Sequence, residues 1–519
     1  MRKKFEIFDS TLRDGAQGED ISFSVQDKVS ILEALDNFGV DYIEAGNPAA
    51  NPKDALFFKI IKEINLKNSK LVAFGSTVHS GKKPEDDEAL AALCAAGTET
   101  VAVFGKVWDL HVKNVLGITL EENLGMIKNT VEFLKKKGKE VIFDAEHFFD
   151  GYKENPEYAV AAVLAAKEGG ANCICLCDTN GGTMPFEITE IINGAKKKLG
   201  DIKLAIHCHD DSGCAVANTI LAAKCGISQI QGTFNGFGER CGNTNLSSVI
   251  PDLILKCGMK SDVKLEELKE TAGKIAEISN VRIRQGAPYV GKSAFSHKAG
   301  MHIDGVKKDS RSFEHINPEL VGNTRRFLVS EMSGRGMVLS KIQKFLPDIT
   351  KNSEKLKEIT EELKKRELFG FQYEGAEASF ELLLKKMLGQ WEKHFEVIMY
   401  KVSEDFPPPD GEQQSNAIVK IQVGDETELA CDSGNGPVNA LDNAIKRALK
   451  RFYPEITYLQ MNDYKVRIID SKKSESKTRV LYESITDKEV FTTIGVSTDI
   501  IEASFDALVD SAEYMLSKR

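Results

Sequence analysis

The chain has 519 residues, too many for one hydrophobic core, so two or three domains are expected. Its formal net charge is -10, with 28% charged and 42% hydrophobic residues, which suits a globular enzyme and speaks against nucleic acid or an anionic membrane as the main partner. No apolar run reaches the length of a membrane span, residues 1–4 lead into the first strand without a signal-peptide core, and ten cysteines then predict reduced thiols in a cytoplasmic protein.

The first predicted strand, Phe5 to Phe8, runs into a polar turn carrying Asp9, Arg13 and Asp14. A carboxylate beside a guanidinium past a strand end can grip a divalent cation and an anionic substrate; the alternative is an exposed Arg-Asp pair in a loop. Seven more apolar, β-branched runs follow: Tyr42 to Ala45, Leu71 to Gly75, Val101 to Phe104, Val141 to Ala145, Cys173 to Cys177, Leu204 to His207 and Gln229 to Thr233. Amphipathic stretches such as Val25 to Phe38, Leu120 to Lys137, Ala159 to Glu168 and Ala215 to Cys225 separate them. Eight strand-helix units in about 250 residues predict a parallel (β/α)8 TIM barrel rather than a doubly wound sheet.

In a barrel the residues past the strand ends share one mouth. They include Asp14, Glu44, Ser76, Asp144 with Glu146, Thr179, His207 with His209, and Asn235 to Asn243. Residues two apart on a strand face the same way, so His207 and His209 point to one place and, with Asp14, form a three-ligand metal set with open positions. The glycine spacing of Asn235 to Asn243 fits neither a dinucleotide nor a P-loop fingerprint, and the loop is read as bringing backbone and Asn243 to the site. Cys173, Cys175 and Cys177 share a strand face and are read as small hydrophobes packing a core, with a metal or redox role as the alternative.

After a predicted helix, Leu265 to Val281, the segment 296–305 places His297, His302 and Asp304 close together, read as a loop returning a general base to the barrel mouth. Residues 340–391 read as a charged helical linker. From about His394 a three-strands-then-helix unit occurs twice, ending in helices Pro437 to Arg451 and Ile500 to Leu516, which predicts a pseudo-symmetric α+β domain of two βββα repeats. Glycines at 434, 436 and 495 lie where those helices are predicted to open, so their amides could receive a small carboxylate, with ordinary capping as the alternative.

These motifs together resemble the 2-isopropylmalate, homocitrate and citramalate synthase family. The resemblance rests on Asp9-Ser-Thr-Leu-Arg-Asp-Gly15, His207-Cys-His209, Gly238-Glu-Arg-Cys-Gly-Asn243, His297-Lys-Ala-Gly-Met-His302 and Gly436-Pro-Val-Asn-Ala-Leu441. It implies a catalytic barrel over 1–275, helical linker subdomains over 276–392 and a C-terminal regulatory domain over 393–519. By position it places the metal ligands on Asp14, His207, His209 and Asn243, and an oxyanion-stabilising arginine on Arg13. It places the catalytic glutamate on Glu146, a carboxylate-binding threonine on Thr179, and a proton-abstracting histidine from the neighbouring subunit on His302, with Asp304 beside it. The segments around Ala16 and Asp144 look most like the citramalate synthase branch, and Phe313 stands where many relatives have tyrosine. The implied reaction joins acetyl-CoA to a 2-oxo acid with Mn2+, Mg2+ or Zn2+ as cofactor. Pyruvate is the expected acceptor, with Asp144 at the substrate, and isoleucine or leucine the expected effector at Gly434, Gly436 and Gly495 of a homodimer. The alternatives are 2-isopropylmalate or homocitrate synthesis, or a non-catalytic amino-acid-binding protein.

Overall fold

The structure is a computed structural model that describes residues 3–328, 339, 342–343, 349–350, 353–404, 415–469, 476–487 and 489–518. Eight parallel strands close a barrel: β1 (Glu6–Asp9), β2 (Tyr42–Glu44), β3 (Lys70–Ser76), β4 (Thr100–Lys106), β5 (Glu140–Glu146), β6 (Cys173–Asp178), β7 (Lys203–Cys208) and β8 (Gln229–Gly232). The seam pairs β1 with β8 from Glu6↔Gln229 to Asp9↔Gly232. The alternation of each strand divides its side chains between two cores. Ile7, Ile43, Val101, Ile174 and Ile206 pack outward under the helices. Phe8, Tyr42, Val72, Ile142, Cys173, Cys175 and Cys177 fill the interior, where the three thiols pack as the sequence predicts.

The outer helices start and stop where local chemistry demands. Ser24 and Asp27 form a reciprocal capping box at the head of Val25–Phe38, and Gly39, at φ 97, ends that helix in the left-handed conformation that glycine adopts without strain. No helix among the described residues is long and apolar enough to cross a membrane.

Two compact units are present: residues 1–295 with 316–325, containing the barrel, and residues 296–315 with 326–519. In the second unit β9 (Ser296–His297) pairs with β10 (Arg326–Phe327). Helices Glu354–Phe369 and Glu377–Met387 lie in the predicted linker, of which residues 340–341, 344–348 and 351–352 fall outside the described residues. Two three-stranded antiparallel sheets follow. The first is β11 (Glu396–Glu404), β12 (Ser415–Val423) and β13 (Glu426–Gly434); the second is β14 (Gln460–Ile468), β15 (Thr478–Ile485) and β16 (Val490–Ser497). Helices Pro437–Leu449 and Ile500–Leu516 complete the two βββα repeats, and Val419, Leu441, Val480 and Leu508 share their core.

Three expectations are corrected. Residues 300–308 form a helix rather than a loop, so His302 and Asp304, two positions apart, point away from one another, and Asp304 pairs with Lys308 at 2.7 Å. Gly495 does not open a helix: it lies inside β16 opposite Val480, and a Cβ there would fall 1.8 Å from the Ala503 carbonyl oxygen, so close sheet-helix packing explains the glycine. Gly434 ends β13 opposite Ser415, with its own Cβ position 2.5 Å from the Ala440 nitrogen, again a packing constraint.

Candidate active site

The carboxyl ends of the barrel strands enclose a cavity of about 280 Å3 lined by Arg13, Asp14, Phe74, Asp144, Glu146, Thr179, His207 and His209. The turn after β1 is built by Asp9, which is fully buried and accepts hydrogen bonds from the Thr11 amide and hydroxyl, both at 2.9 Å. Asp9 therefore shapes the turn and stays outside the site. That turn carries Arg13 and Asp14 inward, so the exposed-loop alternative does not hold.

Asp14 Oδ2 lies 3.3 Å from His207 Nε2 and 3.8 Å from His209 Nε2, and the three ligand atoms fall within 4.8 Å of one another. Burial works against the Asp14 charge, but Arg13 and His207 outweigh it and hold the carboxyl well below the usual range. His209 is pushed down to about 4 by burial and then by His207, so its imidazole is neutral at neutral pH, the form that ligates a metal. Burial also lowers His207, but the hydrogen bond and charge of Asp14 reverse the direction and its pKa is raised.

Asn243 lies beside this set. An isolated bridge pairs its backbone with His209, its Nδ2 donates to the Phe237 carbonyl at 3.0 Å, and its buried Oδ1 has no hydrogen-bond partner among the described residues. The loop after β8 allows this approach because residue 238 is glycine: a Cβ there would lie 2.1 Å from Asn243 Nδ2. One carboxylate, two imidazoles and an orphaned amide oxygen fit a divalent cation of the Mn2+, Mg2+ or Zn2+ kind.

Arg13 is held on three sides. Its Nε donates to Glu44 Oε2 at 2.7 Å, Nη1 lies 3.2 Å from Asp14 Oδ2, and the guanidinium carbon sits 4.0 Å from the Phe74 ring centroid. Glu44, fully buried at the end of β2, also accepts from Ser10 Oγ at 2.5 Å. Asp144 lines the cavity, where burial and then Glu44 raise its pKa to about 7 against the pull of His207 and Arg13; its Oδ1 has no hydrogen-bond partner among the described residues. Glu146 pairs with Lys106, Thr179 Oγ1 accepts from the His147 amide at 2.9 Å, and Arg240 donates to the Thr179 carbonyl at 2.7 Å.

The structure thus brings Arg13, Asp14, Asp144, Glu146, Thr179, His207, His209 and Asn243 to one barrel mouth. His302 and Asp304 lie in the other compact unit, exposed on their helix, with the His302 ring stacked on Phe313 at 4.2 Å between centroids. Gly436 sits at the start of helix Pro437–Leu449, on a cavity of about 400 Å3 shared with Val438, Asn439, Met461 and Tyr464. Sequence reasoning set Glu44 among the strand-end residues but gave it no role, and it gave none to Phe74, Lys106 or Arg240. Glu44 and Lys106 stand at strand ends, which is the signal that could have found them.

The closed barrel is of the HMGL-like class, whose family model matches residues 4–275. Residues 289–367 match the homocitrate synthase post-HMGL domain-like family, and residues 374–516 the LeuA allosteric (dimerisation) domain. At full length the chain is 49% identical to the (R)-citramalate synthase of Aquifex aeolicus, over 100% of this chain and 99% of the relative. It is 47% identical to that of Geobacter sulfurreducens, over 99% and 98%. The 2-isopropylmalate synthase of Methanocaldococcus jannaschii is 29% identical over 99% of this chain and 95% of its own. The chain belongs to the (R)-citramalate synthase family.

Proposed function

We infer that this protein condenses acetyl-CoA with pyruvate and hydrolyses the resulting thioester, yielding (R)-citramalate and CoA. The observation that carries the reading is Arg13 poised beside the Asp14, His207 and His209 set in a cavity sized for a small 2-oxo acid. The higher identity to (R)-citramalate synthases than to a 2-isopropylmalate synthase supports pyruvate as the acceptor.

A divalent ion held by Asp14, His207, His209 and Asn243 supplies Lewis acidity at the 2-oxo group when bound. Mn2+, Mg2+ and Zn2+ are the candidates that an N/O donor set supports. Arg13, fixed by Glu44, points its charge at the oxygen that becomes an alkoxide as the acetyl carbon attacks. Thr179 and Asp144 orient the acceptor, and Glu146, held by Lys106, acts at the reacting carbonyl. His302 of a neighbouring subunit takes the acetyl methyl proton; the exposed ring supports delivery to another chain. Water then cleaves the thioester and CoA leaves.

The working form is a homodimer, supported by the match to a dimerisation domain and by exposed apolar residues on the C-terminal sheets, among them Ile398, Leu429, Met461 and Ile468. Isoleucine binds at Gly436, where Val438 and Met461 offer apolar contact, and inhibits condensation. Domain boundaries fall near residues 275 and 392, and ten unpaired thiols support a reducing, cytoplasmic setting.

A thiol-release assay with acetyl-CoA against pyruvate, 2-oxoisovalerate and 2-oxoglutarate tests the reaction; preference for either larger acid would overturn the pyruvate assignment. For His302, mixing inactive Arg13→Ala and His302→Ala subunits should restore activity in mixed dimers. No recovery after proven exchange would remove the trans role.

A further inference from the structure

At the wall of the substrate cavity, β5 and β6 bring together three buried side chains that the proposed reaction does not explain as a group. Asp144 of β5 is in register with Cys175 of β6, and Cys177 follows two residues on along the same inward face. Their ligand atoms all lie within 4.8 Å of one another, and Cys175 Sγ is 3.9 Å from Cys177 Sγ. Two sulfurs bound to one tetrahedral ion at about 2.3 Å would sit roughly 3.8 Å apart, so the thiols already have the required separation. The third donor is ready as well: Asp144 is 5% exposed, and its Oδ1 has no hydrogen-bond partner. Apolar packing accounts for two small thiols, but it does not account for a buried carboxylate beside them whose Oδ1 has no hydrogen-bond partner among the described residues.

We propose that Asp144, Cys175 and Cys177 form a second cation site, selective for soft divalent ions such as Cd2+ or excess Zn2+, whose occupation inhibits the enzyme. Selectivity follows from the donors: thiolates prefer soft ions, whereas the Asp14, His207, His209 and Asn243 set offers only nitrogen and oxygen. Cys177 and Asp144 line the open cavity, so an ion reaches the site by the substrate's own route. On binding, each thiol gives its proton to solvent and each sulfur lends a lone pair, with no change of oxidation state. Inhibition follows because Asp144 is drawn out of the substrate site and because Cys177 is in register with His207, which sets the two sites side by side.

The test titrates Cd2+ into the full-length protein preloaded with Mn2+, reading the ultraviolet thiolate-to-cadmium charge-transfer band and, separately, turnover. A band saturating at one Cd2+ per chain is expected, with turnover falling at least tenfold. Cys175→Ala should remove the band and make turnover resistant, while Cys173→Ala, outside the cluster, should keep both effects. If Cys175→Ala does not fold, Asp144→Asn replaces it and should weaken the band's affinity at least tenfold. No band in the native protein, or a band unchanged by these substitutions, overturns the site. The inhibition arm rests on the reaction inferred above, whereas the band does not: a Cys175-dependent band in a protein that turns over no 2-oxo acid would keep the site and remove the reaction.

Discussion

The barrel mouth and the C-terminal repeat both present polar groups at the ends of regular elements, yet they use burial in opposite ways. At the mouth, Asp14, Glu44 and Asn243 are almost fully removed from solvent, and the Asp14 and Glu44 charges each meet a partner from another strand or loop, His207 and Arg13. At the head of helix Pro437–Leu449, Asn435, Gly436 and Pro437 remain open to solvent or partly so, and no charged side chain among the described residues lines the cavity. A site that stabilises charge in a transition state gains from fixed dipoles in a dry setting. A site that senses a metabolite must fill and empty, and an open helix terminus suits that task.

If the contrast is right, the largest effect belongs to the metal set. His207→Ala should abolish both Mn2+ binding by calorimetry and turnover, and full activity after exhaustive chelation would remove the metal from the mechanism. Arg13→Lys comes next: the lysine keeps the charge but loses the fixed fork between Glu44 and Asp14, so kcat should fall by about two to three powers of ten while metal affinity changes little. A near-normal kcat would make Arg13 structural.

At the other region, saturating isoleucine should weaken apparent pyruvate binding by roughly 5- to 150-fold, the range of typical coupling free energies. Val438→Asp places a carboxylate in the first helical turn, which favours the helix but competes with the effector's own carboxylate, and should cut that ratio towards one. An unchanged ratio would place the effector elsewhere. The smallest effect sharpens the electrostatic side. His207 has a raised pKa and must lose its proton to ligate, so metal affinity should be full above that pKa and fall by up to about tenfold per pH unit below it. A flat profile between pH 5 and 8 would mean that Asp14 does not hold the proton on His207.

Much of this was readable from the chain itself. The barrel strands announce themselves as short β-branched runs between helical periods, and the strand-end rule then collects Asp14, Asp144, Thr179 and His207 without any knowledge of their neighbours. What stayed hidden depends on register. Nothing local says that Glu44 reaches Arg13, that Lys106 reaches Glu146, or that Phe74 lies under the guanidinium, because each contact crosses between strands far apart in sequence. Gly495 misled for a related reason: a glycine beside small polar residues looks the same whether it opens a helix or lets a helix backbone press against a strand. The helix at 300–308 was missed because it contains two glycines, at 300 and 305, and has no capping side chain.

One feature of the ligand set bears on how the barrel assembles. Asp14 follows the first strand, His207 and His209 close the seventh, and Asn243 lies on the loop after the eighth, so the donors straddle the β1–β8 seam. They can meet only when the two ends of the sheet have joined, the most non-local pairing in the barrel. An ion held by these residues in the closed form alone would act as a clasp on the seam, adding about 2.7 kcal/mol to barrel stability at a hundred times its dissociation constant.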